Sequence, residues 1–160
     1  VGLLTVHATS RGLCGITFDD ATSTLAPPGP DSPPSSSILR ETLSWLTHYF
    51  KRGAAPGDLP PLDLHGTEFE RELWRKLARL PPRTLITYGE LAAQAGHRGA
   101  FRATGRAVGK NPIAILIPCH RVIGADHSLT GYAGGLPRKI FLLTHEGFHV
   151  EGTSRHSIVR

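Results

Sequence analysis

The stretch TLITYGELAAQAGHRGAFRATGRAVGKNP, residues 84–112, decides how the chain folds. Its first part predicts a short helix from about Tyr88 to Ala95, closed by Gly96. Its second part predicts another from about Gly99 to Val108, ended by Gly109 and Pro112. Two short helices joined by a tight glycine-containing turn make a helix-turn-helix pattern. The second helix is unusual for a core helix. Gly105 and Gly109 each lower its stability by about 1 kcal/mol relative to alanine. Its remaining positions are mostly small, with Arg102, Arg106 and Lys110 spaced along it. Small residues let a backbone approach another surface closely, and spaced cations suit phosphates or a groove. Tight helix–helix packing with a solvated basic edge would give the same string.

Upstream, Thr67 followed by Glu70 forms a capping-box pattern. Phe69, Leu73, Leu77 and Leu80 then recur at helical spacing beside Trp74, until Pro81 and Pro82 stop the helix. Downstream, a last helix is expected from Pro137 to about Glu146, with proline suited to its first turn and Gly147 to its C-terminal cap. The N-terminal segment reads differently. Leu3, Leu4 and Val6 suggest one strand and Leu13, Cys14, Ile16 and Phe18 a second, turned by Ser10-Arg11-Gly12. Residues 22–37 hold five prolines and almost no apolar side chains, which predicts a flexible loop. Leu39, Leu43, Leu46 and Phe50 then mark one face of an amphipathic helix. A boundary near residue 62 divides the chain into an N-terminal domain, 1–62, and a C-terminal domain, 63–160.

Charge divides the chain at nearly the same place. Residues 1–64 carry 4 Lys+Arg and 6 Asp+Glu, and residues 65–160 carry 14 and 7, so balances of −2 and +7 sum to the net +5. The second half is therefore the expected partner surface, and a polyanion the expected partner. No apolar run is long enough to cross a bilayer, and residues 1–6 do not read as a secretory signal. An intracellular, soluble protein is expected. Two cysteines, Cys14 and Cys119, cannot form a disulfide framework, and no Cys-x-x-Cys pair supports a four-thiolate zinc site. Cys14, among apolar strand neighbours, is expected to be a small core residue.

Cys119 stands in NPIAILIPCHRVIG, residues 111–124. A buried apolar run leads to Pro118, and His120 and Arg121 follow. A thiol needs a base or a positive neighbour to act as a thiolate at neutral pH. His120 could be that base, and Glu146 could orient a histidine as the third member of a relay. A buried structural thiol, a surface histidine and a solvated helix end are the alternative readings of the same three residues.

The segment PCHRVIG, residues 118–124, resembles the signature of the O6-alkylguanine-DNA alkyltransferases. GTEFERELWRKLARLPPRTLITYGELA, LTGYAGGLPRK and LLTHEG are also similar to that family in order and spacing, from about Leu62 to Gly147. The resemblance implies an α+β architecture: a small N-terminal α/β, ribonuclease H-like domain, and a mostly helical winged helix-turn-helix domain carrying the reactive cysteine. It implies single-turnover transfer of an alkyl group from O6-alkylguanine, and from O4-alkylthymine, in double-stranded DNA to Cys119 after base flipping. His120 would take the cysteine proton through a water, Glu146 would orient His120, and Tyr88 would help the guanine leave. Arg102 would enter the stack from the minor groove, where Thr87, Tyr88, Ala103, Arg106, Lys110 and Asn111 would also serve binding. Asn111, Pro118, Val122, Tyr132, Ala133 and Gly134 would line the base pocket, with backbone groups of Cys119 and Val122 reading the guanine edge. The resemblance implies no cofactor and no metal, a monomer, no membrane partner, and a cytoplasmic or otherwise intracellular location.

The base-extrusion logic stands on its own. A carbon attached to a stacked base is reached only by turning the base out, at a cost of a few kcal/mol. A small-residue helix suits a narrow minor groove. The sequence departs from the family pattern at Phe101, Thr104 and Val108, Ala133 replaces a serine of some relatives, and Arg106 rivals Arg102. A helix-turn-helix regulator would need more base-reading side chains than residues 100–109 offer. A cysteine hydrolase would need an oxyanion hole and would leave the basic charge unexplained. An alkyltransferase-like lesion-binding protein would lack the cysteine.

Overall fold

The capping box read at Thr67 is formed: Thr67 Oγ1 accepts from Glu70 N at 3.2 Å and Glu70 Oε2 accepts from Thr67 N at 2.9 Å. It starts one helix of a computed structural model that describes residues 1–19 and 36–151 and the backbone of 157–159. In chain order the elements are β1 (Leu4–Ala8), β2 (Leu13–Phe18), α1 (Ser36–Arg52), α2 (Glu68–Ala78), β3 (Ile86–Thr87) and α3 (Tyr88–Gln94). They continue with α4 (Phe101–Gly109), a 3-10 turn (Cys119–Arg121), β4 (Val122–Ile123), α5 (Leu136–His145), β5 (His149–Glu151) and β6 (Ser157–Val159). The architecture is mixed α and β, with helices and short two-stranded sheets.

β1 and β2 form the expected antiparallel hairpin, with Val6 opposite Ile16, although Leu3 lies outside it and is exposed. Cys14 is buried in β2 as a core residue. The expected flexible loop of residues 22–37, with all five of its prolines, lies outside the described residues apart from Ser36 and Ser37, which begin α1. The apolar face of α1 differs from the expectation. Ile38, Thr42, Trp45, Leu46 and Tyr49 are buried, whereas Leu43 is 55% exposed. Of the expected face, Leu46 is buried and Leu39 and Phe50 are partly buried against the core, so the inward face is that stripe widened toward Ile38, Thr42, Trp45 and Tyr49, the last two stacked with ring centroids 5.5 Å apart.

β2 carries the N-terminal hairpin into the rest of the molecule. Its two flanks make parallel bridges, Leu13 to Leu62 and Ile16 to Ile113. One continuous core therefore joins β1, β2 and α1 to α2, α3, α4 and the apolar segment 113–117. Trp74 Nε1 donates to Ala107 O at 2.8 Å and ties α2 to α4. Helix α3 begins with a second capping box, Thr87 with Glu90, and α4 follows after residues 95–100. A smaller cluster of Ile123, Leu129 and Leu143 anchors α5. The two-residue parallel pair β3–β4 and the β5–β6 pair carry too little pattern to be read from the sequence.

Candidate active site around Cys119

Cys119 opens the 3-10 turn at the end of the buried segment, and the turn sends the Cys119 side chain to Asn111 while His120 and Arg121 both reach Glu146. Asn111, in the turn after α4, sets its position. Its Nδ2 donates to Ile117 O at 2.8 Å and to Cys119 Sγ at 3.0 Å, and its Oδ1 accepts from Ile113 N at 3.1 Å. This clamp spans Ile115, which holds a left-handed φ of 72°. A β-branched residue there costs about 1–3 kcal/mol and persists only where its surroundings over-determine it. Burial pushes the Cys119 thiol up, opposed by the Asn111 hydrogen bond and the nearby Lys139 charge.

His120 is fully buried (0% exposed) and its Nε2 donates to Glu146 Oε1 at 2.8 Å. That bond fixes the tautomer and leaves Nδ1, which has no partner among the described residues, as the basic nitrogen. Burial lowers the His120 pKa despite the carboxylate, so the ring is neutral near pH 7. Arg121 closes on the other side of Glu146. Its Nε donates to Oε2 at 2.7 Å and its Nη2 to Oε1 at 3.0 Å. Burial would raise Glu146, but the hydrogen bonds and charges of His120 and Arg121 override it and hold the carboxyl down at about 2. The His120–Glu146 pair expected from the sequence is therefore formed, between the 3-10 turn and the C-terminal end of α5.

Three further groups converge on it. Tyr49, from α1, donates to Glu146 Oε1 at 2.8 Å. Lys139, from α5, is completely buried, and its Nζ donates to Val122 O at 2.6 Å and Thr130 O at 3.0 Å. Burial brings its pKa down to about 8, with Cys119 acting in the opposite sense. Thr130 Oγ1 donates to the Tyr88 hydroxyl at 3.1 Å. Burial raises Tyr88, so its phenol stays protonated. The Val122 carbonyl expected to read a base edge thus already accepts one hydrogen bond from a cation. Tyr132 is half-buried, and its hydroxyl has no partner among the described residues. Gly134 is needed where it stands: a Cβ there would lie 2.6 Å from the Phe18 ring and 2.8 Å from Tyr132. Ala133 is exposed beside it, and Pro118 is buried next to the thiol.

The remaining candidates lie on α4 and its flanks. Arg102 and Arg106 are exposed with no ion-pair partner among the described residues. Ala103 is half-buried and Phe101 is 59% exposed. Lys110 is engaged, with its Nζ 2.8 Å from Glu70 Oε1. Thr87 caps α3, so its hydroxyl is committed to Glu90. Thr104 is buried with an unpartnered hydroxyl. Tyr49, Thr130 and Lys139 were missed by sequence reasoning. None of the three left a local signal: Lys139 follows Arg138 in a helix start that reads as solvated.

The chain is similar to several known proteins. Residues 68–148 match the family model "6-O-methylguanine DNA methyltransferase, DNA binding domain". The chain is 42% identical to a methylated-DNA–protein-cysteine methyltransferase of Mycolicibacterium paratuberculosis, over 93% of this chain and 88% of that protein. It is 50% identical to the protein of the same name from Salmonella typhimurium, over 64% of this chain and 60% of the relative's length. Among solved structures, Mycobacterium tuberculosis OGT in complex with DNA superposes with a TM-score of 0.77 at 40% identity, covering 89% of this chain and 85% of that one. S. pombe Atl1, in complex with damaged DNA containing O6-carboxymethylguanine, superposes with a TM-score of 0.53 at 25% identity, over 59% of this chain and 92% of that one. The chain belongs to the 6-O-methylguanine DNA methyltransferase family.

Proposed function

We propose that this chain removes the alkyl group from O6-alkylguanine, and from O4-alkylthymine, in double-stranded DNA by transferring it once to Cys119. The observation that carries the reading is the thiol held by Asn111 at 3.0 Å beside the His120–Glu146 pair. A water relays the Cys119 proton to His120 Nδ1, and the imidazolium that forms is stabilised by Glu146. The thiolate attacks the alkyl carbon, the S–C bond forms, and the C–O6 bond breaks. Tyr88 donates toward a ring nitrogen as the base leaves, so guanine departs neutral. The Lys139 charge favours the thiolate against the burial that disfavours it. The thioether does not revert, so each molecule acts once.

In this reading the residues from Thr87 to Asn111 meet the minor groove, with Tyr88, Ala103, Arg106 and Lys110 as contacts and Arg102 filling the gap left by the flipped base. Pro118, Val122, Tyr132, Ala133 and Gly134 surround the extruded base. The helices α3 and α4 act as a helix-turn-helix within a winged C-terminal domain from residue 63, and residues 1–62 form a ribonuclease H-like N-terminal domain. The protein acts as a monomer inside the cell. A second reading, lesion binding without chemistry, takes support from the likeness to Atl1. The thiol and its assembled relay weigh against it.

The deciding experiment is the intact mass of the protein after mixing with a duplex bearing one O6-methylguanine, followed by peptide mapping. One methyl group on Cys119, never more than one per chain, is the expected result. Unchanged mass with retained preference for the lesion duplex would establish the second reading instead.

A further inference from the structure

The proposed relay accounts for His120 and Glu146, but besides His120 and Arg121 the Glu146 carboxylate has a third neighbour, from the N-terminal part of the chain. The Tyr49 hydroxyl, on the penultimate turn of α1, donates to Glu146 Oε1 at 2.8 Å, across 97 positions of sequence. Tyr49 is 1% exposed and stacks on Trp45 with the rings 12° from parallel. Its backbone is fastened to the same place as its hydroxyl. Tyr49 O accepts from His145 Nε2 at 3.0 Å, and the Tyr49 and His145 rings meet edge to face at 5.4 Å. The chain leaving α1 passes so near the end of α5 that a Cβ on Gly53, at φ 67°, would lie 2.4 Å from His145 O. Two rigid helix ends are thus locked together around one carboxylate.

The consequence lies in how the carboxylate can turn. Among the described residues Oε1 accepts from His120, Arg121 and Tyr49, whereas Oε2 accepts from Arg121 alone. Arg121 forks across both oxygens, which fixes the plane of the carboxylate but does not favour His120 for either oxygen. Tyr49 approaches the same oxygen as His120, and its bond is lost if the carboxylate swings away. We propose that Tyr49 is a positioning residue of the transfer reaction, supplied by the N-terminal segment, which holds Glu146 Oε1 on His120 Nε2 and so keeps Nδ1 as the base. This rests on the transfer reading above. It gives residues 36–52 a part in the chemistry that the cysteine-bearing segment does not contain by itself.

The test is Tyr49→Phe in the full chain, which removes one oxygen and keeps the ring stack. Single-turnover transfer from a lesion duplex should slow about tenfold, the loss of one hydrogen bond to a charged group, while the Kd for the same duplex stays within twofold. In ¹⁵N spectra the His120 ring nitrogens should move from one dominant tautomer toward a mixture. Trp45→Phe disturbs the same packing without touching the hydroxyl, and should lower the melting temperature while leaving the transfer rate and the His120 signals in place. A Tyr49→Phe protein with wild-type rate and wild-type tautomer overturns the proposal. So does a Trp45→Phe protein that slows as much as Tyr49→Phe. Wild-type protein that transfers nothing would instead sink the underlying function, so the two failures are distinguishable.

Discussion

The Glu146 end of α5 and the outer face of α4 handle charge in opposite ways. At Glu146 the charged groups are buried and matched: one carboxylate accepts from His120, Arg121 and Tyr49. A buried charge persists only with such partners, and once paired it is fixed in place. On α4 the cations Arg102 and Arg106 stand exposed on a backbone interrupted by Gly105 and Gly109. Exposed cations without partners remain available to an outside anion, and their energy is sensitive to salt. In the proposed reaction the first region moves a proton along a set path, and the second adapts to a surface that arrives later.

That contrast can be broken at several points. The largest effect is expected from Cys119→Ala, which should abolish transfer while leaving duplex affinity intact; transfer surviving in this variant would move the nucleophile to Cys14. Next, Glu146→Gln should slow transfer by about a hundredfold and destabilise the fold by about 3 kcal/mol, because Arg121 and His120 lose their shared anion. Its pH signature has a definite sign. Glu146 is held at about 2 against an ordinary 4.5, so its stabilisation is complete above 4.5 and is lost as pH falls toward 2. His120 is also lowered, from 6.5, so stability should begin to fall below pH 6.5. Unfolding free energies measured from pH 7 to pH 2 should decline in both ranges in the wild type, and less steeply in the lower range in Glu146→Gln, where Asp63, Glu70 and Glu90, also held below their ordinary values, still contribute.

Changes on α4 should act on duplexes rather than on chemistry. Arg102→Ala is expected to weaken repair of duplex lesions about tenfold while leaving reaction with free O6-benzylguanine nearly unchanged, as rate constants on both substrates would reveal. Equal losses on both would place Arg102 in the relay region and erase the contrast. The smallest effect is expected beneath the helix. Thr104→Val should raise stability by about 1 kcal/mol in urea unfolding, because it removes a buried hydroxyl that lacks a partner.

The sequence carried the C-terminal elements well, because each has a local signal. Thr67 with Glu70, Pro137 at a helix start and Gly147 after a helix end are short-range patterns, and all three are formed. Cys119, His120 and Glu146 were also legible, two by adjacency and one as a carboxylate at the end of the last helix. Tyr49 was not. It stands beside the expected apolar stripe of α1, one position before Phe50, and its partner Glu146 lies 97 positions away. Lys139 and Thr130 were hidden for a related reason. A fully buried lysine bonded to two carbonyls is decided by distant backbone, and nothing in LPRK distinguishes it from a solvated helix residue.

The chain has two tryptophans, and the fold has given one to each side of the contrast. Trp45 stacks on the tyrosine behind the relay and its Nε1 has no partner among the described residues, whereas Trp74 donates to Ala107 beneath α4. The molecule therefore carries its own pair of optical probes. Replacing either indole with phenylalanine leaves a single emitter. Trp74 alone would register α4 settling on a duplex, and Trp45 alone would register what alkylation does behind the thiol. Recorded in one mixing experiment, the order of the two signals would time binding against chemistry without any added label.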